Sequence, residues 1–180
     1  CDSLGVELVT IPIENIVESQ VSSLEAAGIH LSDFNKENVQ AKVRGTSILS
    51  NIAGALSGVM TNNGNKLEVA LGYSTLYGDV NGAIAPIGDL LKVEVWNLAK
   101  YINKNKEIIP IELLPDDHFN IPVPPSAELK NNQIDPMKWG YHDALLAYLL
   151  NYKRGSVNDL IAAQSTNKIE DLLIKALPEV

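Results

Sequence analysis

Gly58-Val-Met-Thr-Asn-Asn-Gly-Asn65 sets a brief apolar run between two breakers and follows it with turn-forming residues. This is the pattern of a buried strand that hands over to a short helix. Working outward, Gly5-Val-Glu-Leu-Val-Thr-Ile-Pro-Ile13 alternates loosely, is rich in β-branched residues and is closed by Pro12, which predicts a second strand, with a helix over 14–27 after it. Residues 28–35 read as a linker, with Asn35 as N-cap of a long helix from Lys36 towards Leu56 whose core stripe would be Ala41, Ile48, Leu49, Ile52 and Leu56. Downstream, an amphipathic helix is predicted over 92–103, capped by Asp89 and with Val95, Leu98, Ala99 and Ile102 on one face. Residues 106–136 carry most of the prolines and read as irregular connection, and helices are predicted over 137–152, 156–163 and 168–177. Strands that alternate with helices define the fold class as α/β, a parallel sheet flanked by helices, in one domain over 1–180.

The composition narrows the function. With 180 residues, 46% of them hydrophobic and 20% charged, the chain can bury a sizeable core. A net charge of −8 argues against a nucleic-acid backbone as a general partner, while a small anionic ligand can still find a locally positive pocket. The longest apolar-leaning stretch, 48–60, is broken by Ser50, Asn51, Gly54, Ser57 and Gly58, so no membrane span is expected. The single cysteine, Cys1, cannot form an internal disulfide, and a cytoplasmic location is the expectation. The chain opens in mid-pattern without an initiator Met, which reads as a piece of a longer protein.

In open parallel sheets, ligands settle beyond the carboxyl ends of the strands, and the Asn62–Asn65 turn sits at such an end. Its amides and Asn side chains, with the start of the next helix, can donate to phosphate. Glu68 in the first turn of that helix admits two readings: a carboxylate for Mg²⁺ shared with phosphates, or the second half of an Asn65-x-x-Glu68 capping box, which the local sequence favours. Lys92, a cation in the first turn of its helix, opposes the dipole; an anionic partner would account for it, as would a solvated surface position. Asn38, Gln40, Lys42 and Arg44 share faces of the long helix at i to i+4 spacing, either as a binding face or as an ordinary hydrophilic one. Pro124-Pro-Ser-Ala-Glu128 is either a rigid turn with Ser126 as a cap or a hydroxyl placed on a phosphate oxygen. His30, His118 and His142 lack metal-ligand spacing, and neither a Gly-x-Ser-x-Gly nor a Gly-x-x-x-x-Gly-Lys-Ser/Thr motif occurs.

Four motifs in order, Glu37-Asn-Val-Gln-Ala-Lys-Val-Arg-Gly45, Gly64-Asn-Lys-Leu-Glu68, Gly72-Tyr-Ser-Thr-Leu-Tyr-Gly-Asp79 and Pro124-Pro-Ser-Ala-Glu-Leu129, resemble the glutamine-dependent NAD⁺ synthetases, most strongly over 36–143. The resemblance implies an ATP-pyrophosphatase-type domain, adenine-nucleotide α-hydrolase-like in its three-layer architecture. Such a domain adenylates nicotinic acid adenine dinucleotide (deamido-NAD) and lets ammonia from a separate glutaminase domain displace AMP, giving NAD⁺ and pyrophosphate. Mg²⁺ and ATP are the implied cofactor and co-substrate, and a homodimer or larger homo-oligomer is the implied assembly. By the same resemblance Asn63, Lys92 and Ser126 would contact ATP, and Glu68 would be the Mg²⁺-linked acid. Asn38, Lys42, Glu68, Tyr73, Ser74, Thr75 and Leu76 would line the deamido-NAD site.

The chain departs from the family at Asn63, where Thr is common, and at Lys42, where Arg is frequent and bidentate geometry is lost. The family's Ser-Gly-Gly-x-Asp-Ser pyrophosphate loop is absent from these 180 residues, so this stretch alone is expected to be inactive. The alternatives are a non-catalytic binding or dimerisation module of the same fold, and another ATP-pyrophosphatase amidotransferase.

Overall fold

The computed structural model describes residues 1–115, 134–151 and 156–177. They fall into two compact units, Cys1–Asp89 and Leu90–Val180.

In the first unit, helix α1 (Glu14–Ala26) stops where Gly28 turns left-handed at φ 82°, and Ile29 donates back to the Leu24 carbonyl at 2.9 Å. Helix α2 (Asp33–Lys42) then begins at Ser32, whose hydroxyl accepts the Asn35 amide at 3.2 Å while Asn35 Oδ1 accepts from the Ser32 hydroxyl at 2.7 Å. The sequence placed the cap at Asn35; Asn35 is the reciprocal partner three residues inside it. An ion pair between Lys36 and Glu25, 3.4 Å, links α2 to α1.

The expected long helix is present but is not uniform. After α2 it widens into a π-helical stretch, Val43–Leu49, before resuming as α3 (Ser50–Ala55). The cause is local and visible: the Ser50 amide and the Ser50 hydroxyl both donate to the Gly45 carbonyl, five residues back. Ala41 of the expected stripe is buried, with Val43 and Gly45, and Ile48 and Ile52 are half-buried; beyond the extra residue the faces rotate, and Leu49 and Leu56 are exposed.

Helix α4 (Lys66–Leu71) ends in a left-handed Gly72, with Tyr73 donating to the Glu68 carbonyl at 2.9 Å. Past Gly72 the chain leaves helical geometry as expected, and no helix forms over 73–90.

Among the described residues, β structure is confined to two parallel bridges, Thr61 with Ile84 and Leu76 with Val80. Ala83 donates to the Met60 carbonyl at 2.9 Å and Asn62 to the Ile84 carbonyl at 2.7 Å, so of the expected buried strand at 58–61 only the Thr61 bridge forms, and Val59 is exposed. The expected strand at 5–13 has no ladder partner among the described residues, and Val6, Leu8, Val9 and Ile11 lie exposed. A strand is half of a structure, and without a neighbouring segment its pattern alone cannot make one.

In the second unit, α5 (Lys92–Ile102), α6 (Trp139–Leu150), α7 (Ser156–Ser165) and α8 (Ile169–Ile174) pack around a small core. The buried face of α5 is Val93, Trp96 and Ala99; of the expected face Ala99 is buried and Val95 half-buried, while Leu98 and Ile102 are exposed. Asn103 closes α5 by accepting the Ile108 and Ile109 amides, each at 2.9 Å, which folds the chain back without a regular element.

Candidate functional site

The Asn62–Asn65 turn is held almost entirely by its own side chains. Asn62 Oδ1 accepts the Gly64 amide at 2.9 Å, and Thr61 donates its hydroxyl to Asn63 Oδ1 at 3.0 Å. Asn65 is 1% exposed, and its Oδ1 accepts the Leu67 and Glu68 amides at 3.0 and 3.1 Å. Glu68 Oε2 returns the bond by accepting the Asn65 amide at 2.8 Å. The capping box is therefore real, and it fixes where the Glu68 carboxylate stands. Leu67, 1% exposed, anchors this short helix from below, a burial worth about 2 kcal/mol.

The loop after Gly72 docks on the π-helical stretch through two glycines. A Cβ on Gly45 would overlap the Gly78 carbonyl, and one on Gly78 would lie 2.9 Å from the Ala41 carbonyl carbon. Only paired glycines permit that approach. Around the crossing, the Thr46 hydroxyl donates to the Tyr77 carbonyl and Asn81 donates to Ser50 Oγ at 3.1 Å. Asp79 Oδ1 accepts the Thr75 amide at 3.0 Å, which shapes the loop tip. Gly82, at φ 151°, passes so close to the Asn62 amide that an added Cβ would lie 2.5 Å away. The loop thus touches both the helix and the Asn62–Asn65 turn.

These contacts place the expected site residues. Asn38 and Thr75 meet directly, the Thr75 hydroxyl donating to Asn38 Oδ1 at 2.7 Å, while Asn38 Nδ2 donates to the Phe34 carbonyl at 2.9 Å. Asn38 Oδ1 thus holds the loop while its Nδ2 is anchored on its own helix. Glu68 and Tyr73 are joined through the backbone. Lys42, Asn63, Tyr73 and Leu76 are exposed, Ser74 is half-buried, and Ser126 lies outside the described residues.

In the second unit, Lys92 is half-buried, with its ammonium 4.9 Å from the centre of the Trp139 ring and 5.8 Å from that of Trp96. The helix it opens is not capped by Asp89. Leu91 occupies the N-cap position and has no side-chain acceptor, so Glu94 Oε2 takes the Leu91 amide at 2.7 Å. The Val93 amide donates to Asp143 Oδ2 on α6, also at 2.7 Å. Asp143 is fully buried, and its Oδ1 has no hydrogen-bond partner among the described residues. Burial pushes its carboxyl from 3.8 up to about 6; the Val93 and Lys92 amides and the Lys92 charge act against that rise, and Glu94 adds to it. Sequence reasoning passed over Asp143, because its importance lies in a contact with a residue 50 positions earlier.

Mg²⁺, implied by the resemblance, fits the donor chemistry of the first unit. Among the described residues no group of three or more His, Cys, Asp or Glu side chains could form a protein cage for a metal. A single first-turn carboxylate suits an ion held mainly by phosphates and water, and Glu68 would be that ligand.

The NAD synthase family profile matches residues 1–176. The chain is 38% identical over 168 residues to a glutamine-dependent NAD(+) synthetase of Xanthomonas campestris pv. campestris, an alignment covering 91% of this chain and 29% of that protein. Among solved structures it is similar to a glutamine-dependent NAD⁺ synthetase of Acinetobacter baumannii in complex with ADP, with 28% identity, a TM-score of 0.54, and coverage of 91% of this chain and 28% of that one. It is also similar to an NMN synthetase of Francisella tularensis, at 27% identity and a TM-score of 0.67, over 81% of this chain and 56% of that one. The chain thus spans 29% of the length of the first of these relatives. Among the described residues no helix is long and apolar enough to cross a membrane.

Proposed function

The chain belongs to the NAD synthase family, and from that premise we propose that it forms the middle and rear of one synthetase domain. In that domain ATP activates deamido-NAD for amidation to NAD⁺. A carboxylate is a poor electrophile, so the nicotinate carboxylate first takes AMP from ATP and releases pyrophosphate; ammonia then attacks the acyl-adenylate and AMP leaves. The observation that carries this reading is the Asn62–Asn65 turn, tied by its own side chains and by the Asn65–Glu68 box into a fixed helix start. With the Gly64, Asn65, Leu67 and Glu68 amides thus satisfied, what the turn offers a ligand is the fixed Glu68 carboxylate and the exposed Asn63 side chain.

In this reading the Asn62–Asn65 turn and Lys92 orient the triphosphate, with Ser126 as a third contact. Bound Mg²⁺ neutralises charge on the phosphates, and Glu68 holds it. Asn38 and Lys42 face the dinucleotide together with the loop from Tyr73 to Leu76. Exposed Leu76 and Tyr77 cover the nicotinate end and keep water from the activated acyl group. The parallel bridge between Thr61 and Ile84 supports a parallel sheet flanked by helices as the architecture of the domain. Ammonia comes from a glutaminase domain elsewhere in the protein, and the enzyme works as a homo-oligomer in the cytoplasm.

Pyrophosphate release by the protein as its gene encodes it, with ATP, ammonia and deamido-NAD, tests the reading. We expect turnover with deamido-NAD and at least about tenfold lower kcat/KM with nicotinic acid mononucleotide, since the Tyr73–Leu76 loop has more to hold in the dinucleotide. Equal or better use of the mononucleotide would contradict the assignment of substrate. No adenylation of either would contradict the activity.

A further inference from the structure

Helix α5 carries Lys92 in its first turn, yet nothing in its own sequence caps it in the usual way. Leu91 contributes no side-chain acceptor, and Glu94 serves only the Leu91 amide. The Val93 amide is taken by Asp143, which reaches across from α6. A neutral acceptor would do that as well. Asp143 is instead a fully buried carboxyl with one oxygen unpartnered among the described residues, an arrangement that burial penalises. What a carboxylate adds over an amide or a hydroxyl is its field, and the charges within reach of that field are Glu94, which it repels, and Lys92, which it attracts. Lys92 in turn sits against Trp139, on the same helix as Asp143, and against Trp96 of its own helix.

We propose that Asp143 is a positioning residue for Lys92: it fixes the first turn of α5 through the Val93 amide, and its buried charge holds the ammonium against the two indoles, ready for an incoming polyphosphate. The polyphosphate is the part that rests on the ATP reading of Lys92. The positioning itself does not depend on it.

The two indoles that flank Lys92 are the two tryptophans of these 180 residues, so the part of the protein's emission that Trp96→Phe and Trp139→Phe remove reports this cluster. The charged groups acting on Asp143 are Lys92 and Glu94 of α5. His142 is its neighbour on α6, so the titration is done on a His142→Gln background, which leaves no imidazole beside Asp143. Emission should then change with a midpoint of about 6, where the Asp143 carboxyl titrates. Asp143→Asn should abolish that change, and at neutral pH its emission should move towards that of Lys92→Met. In Lys92→Met the midpoint should rise, because the ammonium that favours the ionised carboxyl is gone.

A transition that survives Asp143→Asn, or a midpoint that Lys92→Met leaves in place, overturns the proposal. The Lys92→Met arm decides the matter even if Asp143→Asn does not fold. Calorimetric titration of the same variants with MgATP tests the ligand separately: Lys92→Met and Asp143→Asn should each weaken binding about tenfold and leave deamido-NAD affinity unchanged. If Lys92→Met weakens MgATP and a folded Asp143→Asn does not, the positioning role fails and the ATP contact stands. If Lys92→Met leaves MgATP binding untouched, the ATP contact fails, and the fluorescence result alone decides the positioning role.

Discussion

Helix α4 is capped by residues of its own first turn, Asn65 and Glu68, whereas α5 takes a key acceptor from Asp143, 50 residues further along the chain. Both helix starts hold a residue assigned to phosphate chemistry, Glu68 in one and Lys92 in the other. The local cap uses a neutral amide and a carboxylate at the edge of solvent and is cheap to build. The remote cap buries a carboxyl completely. The difference suggests a division of labour, in which α4 is a rigid seat whose acid faces its ligand and α5 is a start whose cation is set by a buried charge behind it.

The largest expected effect lies at the remote cap. The native protein binds the Asp143 proton more tightly than the unfolded chain does, with the carboxyl at about 6 instead of 3.8. Its contribution to stability is therefore most favourable below the lower value and is lost as pH rises through the higher one. At neutral pH that amounts to a cost of about 3 kcal/mol. Urea unfolding of wild type and Asp143→Asn at about pH 3.5 and about pH 7 should show wild type losing about that much relative to the variant. Parallel pH profiles would make the α5 start an ordinary cap like that of α4. At the local cap, Asn65→Ala removes the acceptor for two amides and should cost about 1–2 kcal/mol with little pH dependence, measured the same way. A loss below about 0.5 kcal/mol would mean that Leu67 burial alone holds the turn.

The contrast between the caps also explains what could be read in advance. Asn65 and Glu68 are three residues apart, so their pairing is written in the local sequence, and so is the break of helical pattern at Gly72. Asp143 looks like any acid on an amphipathic helix until Val93 is placed beside it. The stripe expected on the long helix holds at Ala41 and in part at Ile48 and Ile52 but fails at Leu49 and Leu56 for a related reason: the π-helical turn at Gly45 rotates the later part of that helix. That turn accompanies the crossing with Gly78, a contact between residues no local window connects. The strand pattern at 5–13 described a partner requirement that no described residue fulfils. Family resemblance pointed to Lys92, Glu68 and the loop from Tyr73 as candidates, but it could not say that Asn38 would bind that loop.

The central claim is that Glu68 caps α4 with one oxygen and serves the ATP site with its charge. Glu68→Gln separates the two, because the amide oxygen can still accept from the Asn65 amide while the charge is gone. Stability should change by no more than about 0.5 kcal/mol. Pyrophosphate release by the protein as its gene encodes it, with ammonia supplied directly, should fall about a hundredfold or more. Near-normal release with unchanged Mg²⁺ dependence would contradict the claim and leave Glu68 as a helix cap alone.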